Sequence, residues 1–280
     1  KNLDLHITAA RLTNDAGQLQ CGATLRTGSM KTGPGAADTV ALSASWLQPL
    51  TNALPDSGAA QLNLSGFDSR WGRAGALSIA ASFDNATNPP AADAALGFWN
   101  ALLAHRAELH CAITNASRSN VNLDEFALSA SWAAPKLRLT ELYATMPVGG
   151  LAANADLDVL TRLLEFNASS DFDLHLLDAL LTEKSRDWIG NFTWQAPPAL
   201  EMSGRLTLPA WTNRQPDWRG EVQPSVVLDG SVHLTNTTYR GSSMNAATTH
   251  LNYSNRVWHL PDLALTRPEG IILGALVGIG

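Results

Sequence analysis

Alternation of apolar and polar residues with a period of two, repeated from one end of the chain to the other, limits the folds available more than any other feature. Leu3, Leu5, Ile7 and Ala9 share one parity, with Asp4, His6 and Thr8 on the other. Successive side chains of a strand point to opposite faces, so this pattern predicts a strand with one face buried. The turn residues Thr13-Asn14-Asp15-Ala16-Gly17 follow, and then Leu19, Cys21, Ala23 and Leu25 alternate in turn. Two alternating runs around a turn predict a hairpin.

The unit recurs. Leu62 and Leu64 lead through Asp68-Ser69-Arg70-Trp71-Gly72 to a strand opened by Gly75, carrying Leu77, Ile79, Ala81 and Phe83. Leu137 and Leu139 lead to Gly149-Gly150 and a strand with Leu151, Ala153, Ala155 and Leu157. Val257 leads through Arg267-Pro268-Glu269 to Gly270. Strand start and glycine are 14, 13, 12 and 13 residues apart (3 to 17, 62 to 75, 137 to 149, 257 to 270). The string Ala-Leu-Ser-Ala-Ser-Trp occurs twice, after Val40 and after Phe126, ending at Trp46 and Trp132. The stretch 249–255 holds the equivalent place without the identity. Repeated strands of this kind stack each unit on its neighbour.

Two segments break the alternation. From Ala91 to about Arg106, after Pro89-Pro90, the residues Leu96, Trp99, Leu102 and Leu103 fall near a helical stripe. From about Leu176 to Trp188, Leu177, Leu180, Leu181 and Trp188 do the same. Pro197-Pro198, Pro209 and Pro216 predict a loop-rich region before strands resume at about 226–234. No linker divides the chain. The expected fold is mostly β: an extended, curled antiparallel sheet of repeated hairpins, an open β-groove with two short helices. Residues 1–280 then form one continuous repetitive segment, read as a fragment of a longer protein because it starts at Lys1 without Met and directly in a strand pattern.

Composition narrows the function. Only 16% of residues are charged, with 25 acidic against 19 basic and a net charge of −6. Four lysines and no basic cluster do not supply the counterion release on which nucleic-acid binding rests. No run of 18 apolar residues is available to span a membrane as a helix. Lys31-Thr32-Gly33 matches one element of the penicillin-binding set, but the Ser-x-x-Lys nucleophile is missing. Asp156-x-Asp158 and Asp171-x-Asp173 have a spacing that holds divalent metals, yet in a strand it only puts two aspartates on the solvated face. His6, His110 and His233 lie between apolar neighbours and are expected to face outward. The reading is of a protein with no catalytic residues, no metal and no cofactor. Cys21 and Cys111 fall on the apolar parity, as small buried residues do. Sequons at Asn63, Asn85, Asn115, Asn167, Asn191 and Asn236 arise from composition alone.

An antiparallel sheet can leave one face in water but must cover the apolar one. Two short helices are too few for a dozen strands. Either a second sheet packs there, or the sheet curls into a trough that something else fills; large exposed apolar patches mark ligand or partner surfaces. The candidates for the lining are Leu3, Leu5, Ile7, Leu42, Trp46, Leu62, Leu64, Leu77, Ile79, Phe83, Leu128, Trp132, Leu137, Leu139, Leu151 and Leu157. Acyl chains are the natural occupant, since burial is worth about 0.8 kcal/mol per methylene.

The stretch from Leu137 to Phe166 (LRLTELYATMPVGGLAANADLDVLTRLLEF) resembles the repeat of bacterial AsmA-like proteins, relatives of TamB. Ser170-Asp171-Phe172-Asp173, the segment through Trp188, Pro197-Pro198, the stretch from Leu208 to Gly220 (LPAWTNRQPDWRG) and that from Tyr253 to Gly270 (YSNRVWHLPDLALTRPEG) fit the same pattern. The likeness is clearest over 124–270; the first 120 residues share the style of repeat. It implies a periplasmic protein held in the inner membrane by an N-terminal helix that this sequence lacks. It further implies a long curled sheet whose apolar groove carries phospholipid towards the outer membrane, with room for envelope protein partners. The resemblance brings no catalytic residues. The expected function is therefore non-enzymatic binding and conduction of acyl chains. Its rivals are a structural or adhesive β-solenoid with a sealed core, and a carbohydrate-binding module that uses Trp faces.

Overall fold

In the computed structural model, residues 3–11, 17–33, 35–51, 54–118, 121–178 and 181–279 are described. The fold is mostly β, and strand pairing assigns seventeen strands to one open antiparallel sheet. The chain divides into two compact units, 1–141 and 142–280, each taken by itself below.

The first unit contains β1 (Leu3–Arg11), β2 (Gln18–Thr27), the short β3 (Met30–Lys31) and β4 (Gly35–Ala37), and β5 (Thr39–Pro49). It continues with β6 (Ser57–Ser69), β7 (Gly72–Asn85), β8 (His105–Arg118) and β9 (Val121–Ala133), and β10 (Lys136–Thr145) begins in it. The main ladder runs β1-β2-β5-β6-β7-β8-β9, antiparallel at every step. The repeated Ala-Leu-Ser-Ala-Ser-Trp strings lie in β5 and β9.

The second unit contains β11 (Gly150–Asp158), β12 (Leu163–Ser170), the helix α1 (Glu183–Ile189), β13 (Phe192–Thr207), β14 (Val227–Tyr239), β15 (Ser242–Ser254), β16 (Val257–Arg267) and β17 (Gly270–Ile279). Its ladder runs in chain order from β11 to β17. Gly149 sits in the left-handed region at φ +71° and closes the turn into β11, its amide carbonyl accepting from Met146 N–H at 3.0 Å.

Several expectations need correction. The helical segment foreseen over 91–106 is a shorter 3-10 segment, Ala94–Leu102, broken at Gly97, whose φ of +56° no regular helix accommodates. That foreseen over 176–188 is a 3-10 turn at Leu174–Leu177 followed by the seven-residue α1, and Leu180 of the expected stripe lies outside the described residues. Pro197-Pro198 are not in a loop. They sit inside β13, where the pairing with β14 slips by one residue between Ala196 and Ala199, because proline cannot donate to the ladder. The strand expected to open at Gly75 opens at Gly72, leaving Arg70-Trp71 as a two-residue turn. Residues 13–16 of the first turn lie outside the described residues. β1 is not half-buried: all nine of its residues are exposed.

The buried residues gather at the margins of the sheet rather than over its middle. In the first unit Leu96, Trp99 and Leu103 of the segment after Pro90 are buried, and Trp99 stacks on Trp132. In the second, Val159 and Phe172 are buried, and the Trp211 indole N–H donates to the Val159 carbonyl oxygen at 2.8 Å.

Candidate functional site

Register converts the alternation into a surface. In the first unit Leu5, Leu25, Leu42, Leu62, Ile79, Cys111 and Leu128 are directly paired from strand to strand, forming one row across seven strands. On one side of it runs the row Leu3, Thr27, Val40, Leu64, Leu77, Ile113, Phe126. On the other side Ile7, Ala23, Ala44, Ala60, Ala81, Leu109 and Ala130 form a row of mostly small side chains. Beyond that lie Ala9, Cys21, Trp46, Gly58, Phe83, Ala107 and Trp132. The alanine row is therefore a furrow across the strands, walled by leucines on one side and by Trp46, Phe83 and Trp132 on the other. With neighbouring strands about 4.8 Å apart, seven strands span roughly 29 Å.

This face is incompletely covered. Leu42, Leu62, Leu64, Leu77, Ile79 and Phe83 are half-buried, while Leu3, Leu5 and Ile7 are 68%, 57% and 67% exposed. Trp132 is the exception. Its ring stacks on Trp99 at 5.1 Å and its indole N–H donates to the Leu102 carbonyl oxygen at 2.8 Å, so the 3-10 segment seals that corner. Trp46, in the identical hexapeptide, is only half-buried; it faces Gly58, over which the Phe83 ring lies. Burial among apolar side chains pushes the Cys111 thiol above its ordinary value. Both cysteines are free.

Of the residues foreseen for the lining, the twelve from Leu3 to Trp132 lie on this one face. Leu137 and Leu139 are half-buried in β10. Leu151 and Leu157 belong to the second unit, where Leu157, Leu164 and Leu206 form a paired row. That unit has its own apolar row, Ala155, Phe166, Gly204, Leu228, Tyr253 and Trp258, which sequence reading missed. The Phe166 ring lies over Gly204 as Phe83 lies over Gly58.

The face continues past a change of parity. Its apolar side passes from Leu64 to Phe67 in β6, from Leu77 to Ala74 in β7, and from Ile113 to Ala116 in β8. In β9 it passes from Phe126 to Leu123. Gly66 at φ +57° and Asn115 at φ +50° take up the turn in two of these strands, and the pairing does not slip. Phe67, Ala74, Leu77, Ile113, Ala116 and Leu123 line an open hollow of about 260 Å³ ending at the β6–β7 turn, with Trp71, Arg73 and Arg118 also lining it. Strict alternation hides Phe67, Ala74, Ala116 and Leu123 because the parity inverts. Asn and Gly, which tolerate positive φ, were the signal that could have revealed them.

The opposite face carries Thr24, Ser43, Gln61, Ala80, His110 and Ser129 in register. His6, His110 and His233 are exposed, as expected. Asp171 and Asp173 are not strand residues. The Asp171 carboxylate accepts from Gly150 N–H at 2.7 Å, and the Asp173 carboxylate accepts from His175 N–H and from the Trp194 indole. Among the described residues no group of three or more His, Cys, Asp or Glu could hold a metal ion. Among the described residues no helix is long and apolar enough to cross a membrane.

Comparison with protein-family models, with curated proteins and with solved structures gives no match.

Proposed function

We propose that the apolar face of the first unit binds acyl chains, without catalysis, and that the protein carries or conducts lipid in the bacterial envelope. The observation behind this reading is the row from Leu5 to Leu128, apolar at seven consecutive strands and left half-exposed along its length. Exposed apolar area on this scale marks an interaction surface. The alanine furrow beside it has the width of small side chains and walls of large ones, a shape suited to a flexible hydrocarbon. A chain of about sixteen carbons would gain roughly 10 kcal/mol before ordering costs. Head groups would stay in water at the margins. The resemblance to AsmA-like proteins supports the same reading and extends it to phospholipid, to transport between inner and outer membranes, and to a periplasmic location with a membrane anchor.

The carbohydrate reading draws less support. Trp132 is buried beneath Trp99 and offers no free ring face to a sugar. A sealed solenoid needs a cover over the furrow, and Leu109, which projects into it, is 39% exposed.

Organic extraction of the purified chain followed by mass spectrometry tests the proposal. Acyl lipid is expected from the native chain and at least severalfold less from an Ile79→Glu variant whose circular dichroism is unchanged. A lipid-free native chain that also takes up no added lipid overturns the reading.

A further inference from the structure

We infer that the hollow at the β6–β7 turn is a docking site for the end of an anionic acyl lipid, its arginines taking the charged head while the chain runs onto the apolar face. This rests on the proposal that the face binds acyl chains and adds which head group it selects and where. At the other margin of the same face Trp99 covers the Trp132 corner, whereas this margin is open. Its floor is hydrocarbon: Phe67, Ala74, Leu77, Ile113, Ala116 and Leu123. The volume, about 260 Å³, is just under the range typical of ligand pockets, which suits one end of a chain rather than a whole ligand.

The rim is basic. Arg118 and Ala116 are two apart in β8, so their side chains share a face, and Arg118 lines the hollow. A Cβ on Gly72 would come 3.3 Å from Arg118 Cβ, which places that side chain at the turn's inner edge. Arg118 makes no ion pair among the described residues. Arg73 also lines the hollow and meets Asp68 at 3.2 Å, so its charge is partly offset. Arg70 stands with its guanidinium 4.4 Å from the centroid of the Trp71 ring. Trp71 is 53% exposed, an amphipathic ring at the boundary between hydrocarbon and water. Three arginines against one aspartate in a chain of net charge −6 make this tip a local exception, and charge complementarity selects an anion over a neutral or cationic head.

The test compares dodecanoate with 1-dodecanol, equal in chain and differing in charge, each displacing an uncharged fluorescent acyl ester from the 280-residue chain. Exposed ion contacts are individually weak, so two arginines should make dodecanoate roughly five- to tenfold the tighter ligand, less so at high salt. Arg73→Gln with Arg118→Gln should level the two ligands by weakening dodecanoate more than dodecanol. Ile113→Glu should weaken both, and inorganic phosphate alone should displace nothing. Equal affinities in the native chain, a preference that survives the double substitution, or displacement by phosphate overturns the head-group assignment while leaving acyl binding intact. Indifference of both ligands to Ile113→Glu places the site elsewhere and overturns it too. Failure of the ester and of both ligands to bind overturns the assignment and the proposed function together.

Discussion

The rings of Trp99 and Trp132 stack with centroids 5.1 Å apart and planes inclined by 24°. The contact joins the segment after Pro90 to the end of β9 and distinguishes two tryptophans that close identical hexapeptides. Trp132 is 6% exposed and Trp46 half-buried. Large-to-small substitution costs most where the surroundings cannot collapse. Trp132→Ala should therefore destabilise the chain by about 3–5 kcal/mol, and Trp46→Ala by clearly less, in urea unfolding followed by circular dichroism. Equal losses would contradict the assignment of Trp132 to a sealed corner and Trp46 to an open wall.

Two glycines with positive φ should respond differently to alanine. At Gly241, φ +83°, an added Cβ meets nothing within 4 Å, so Gly241→Ala should cost only the backbone preference, about 1 kcal/mol. At Gly149, φ +71°, the same atom would overlap the Asp171 carbonyl oxygen, and Asp171 is held to Gly150 by two hydrogen bonds. Gly149→Ala should cost at least about 1 kcal/mol more, read from the same unfolding curves.

The Asp262 carboxylate accepts from the His250 backbone N–H and sits against the His250 ring, which lies at the irregularity between β15 and β16. The hydrogen bond and charge of Asp262 raise the His250 pKa above 6.5, and the same contacts lower that of Asp262 below 3.8. The raised imidazole stabilises the fold fully below pH 6.5 and loses that contribution as pH climbs through its folded value. The lowered carboxylate contributes above pH 3.8 and loses its share as pH falls through its own folded value. The pair is thus most effective between about pH 4 and 6.5. NMR titration should show the His250 pKa falling back towards 6.5 in Asp262→Asn; an unchanged value would exclude Asp262 as the cause.

Much of the fold was legible because its regular part obeys one rule. Leu42, Leu62 and Ile79 stand in register on the page as they do in the sheet, since a period of two fixes which face each side chain takes. Two kinds of residue escaped. Phe67 and Ala116 lie beyond parity inversions that pattern reading treats as noise. The exposure of β1 depends on what lies beside it, and alternation carries no information about neighbours. The helical segments were overestimated because Leu96, Trp99 and Leu103 have helical spacing while Gly97 between them takes a conformation that breaks it.

Asn115 and Asn236, which look like sequons, have a structural role: φ is +50° and +46° within β8 and β14, and the apolar parity changes at each. Asn enters this region more readily than other non-glycine residues, and β-branched residues resist it. Asn236→Gly should leave stability within a few tenths of a kcal/mol, whereas Asn236→Val should cost about 1–2 kcal/mol and reduce Thr237 protection in hydrogen exchange. Equal tolerance of glycine and valine would mean that the inversion does not depend on that backbone conformation.

The central claim is that hydrocarbon lies on the face formed by β2 and β5–β9 of the first unit. Photolabelling with a fatty acid carrying a diazirine near mid-chain, followed by peptide mass spectrometry, tests it most directly. Adducts are expected on residues of the furrow and its walls, among them Leu42, Leu62, Phe83 and Leu109, and should be competed away by unlabelled fatty acid. Adducts confined to the opposite face, to residues such as Gln61 and His110, or the absence of competable labelling, would contradict it.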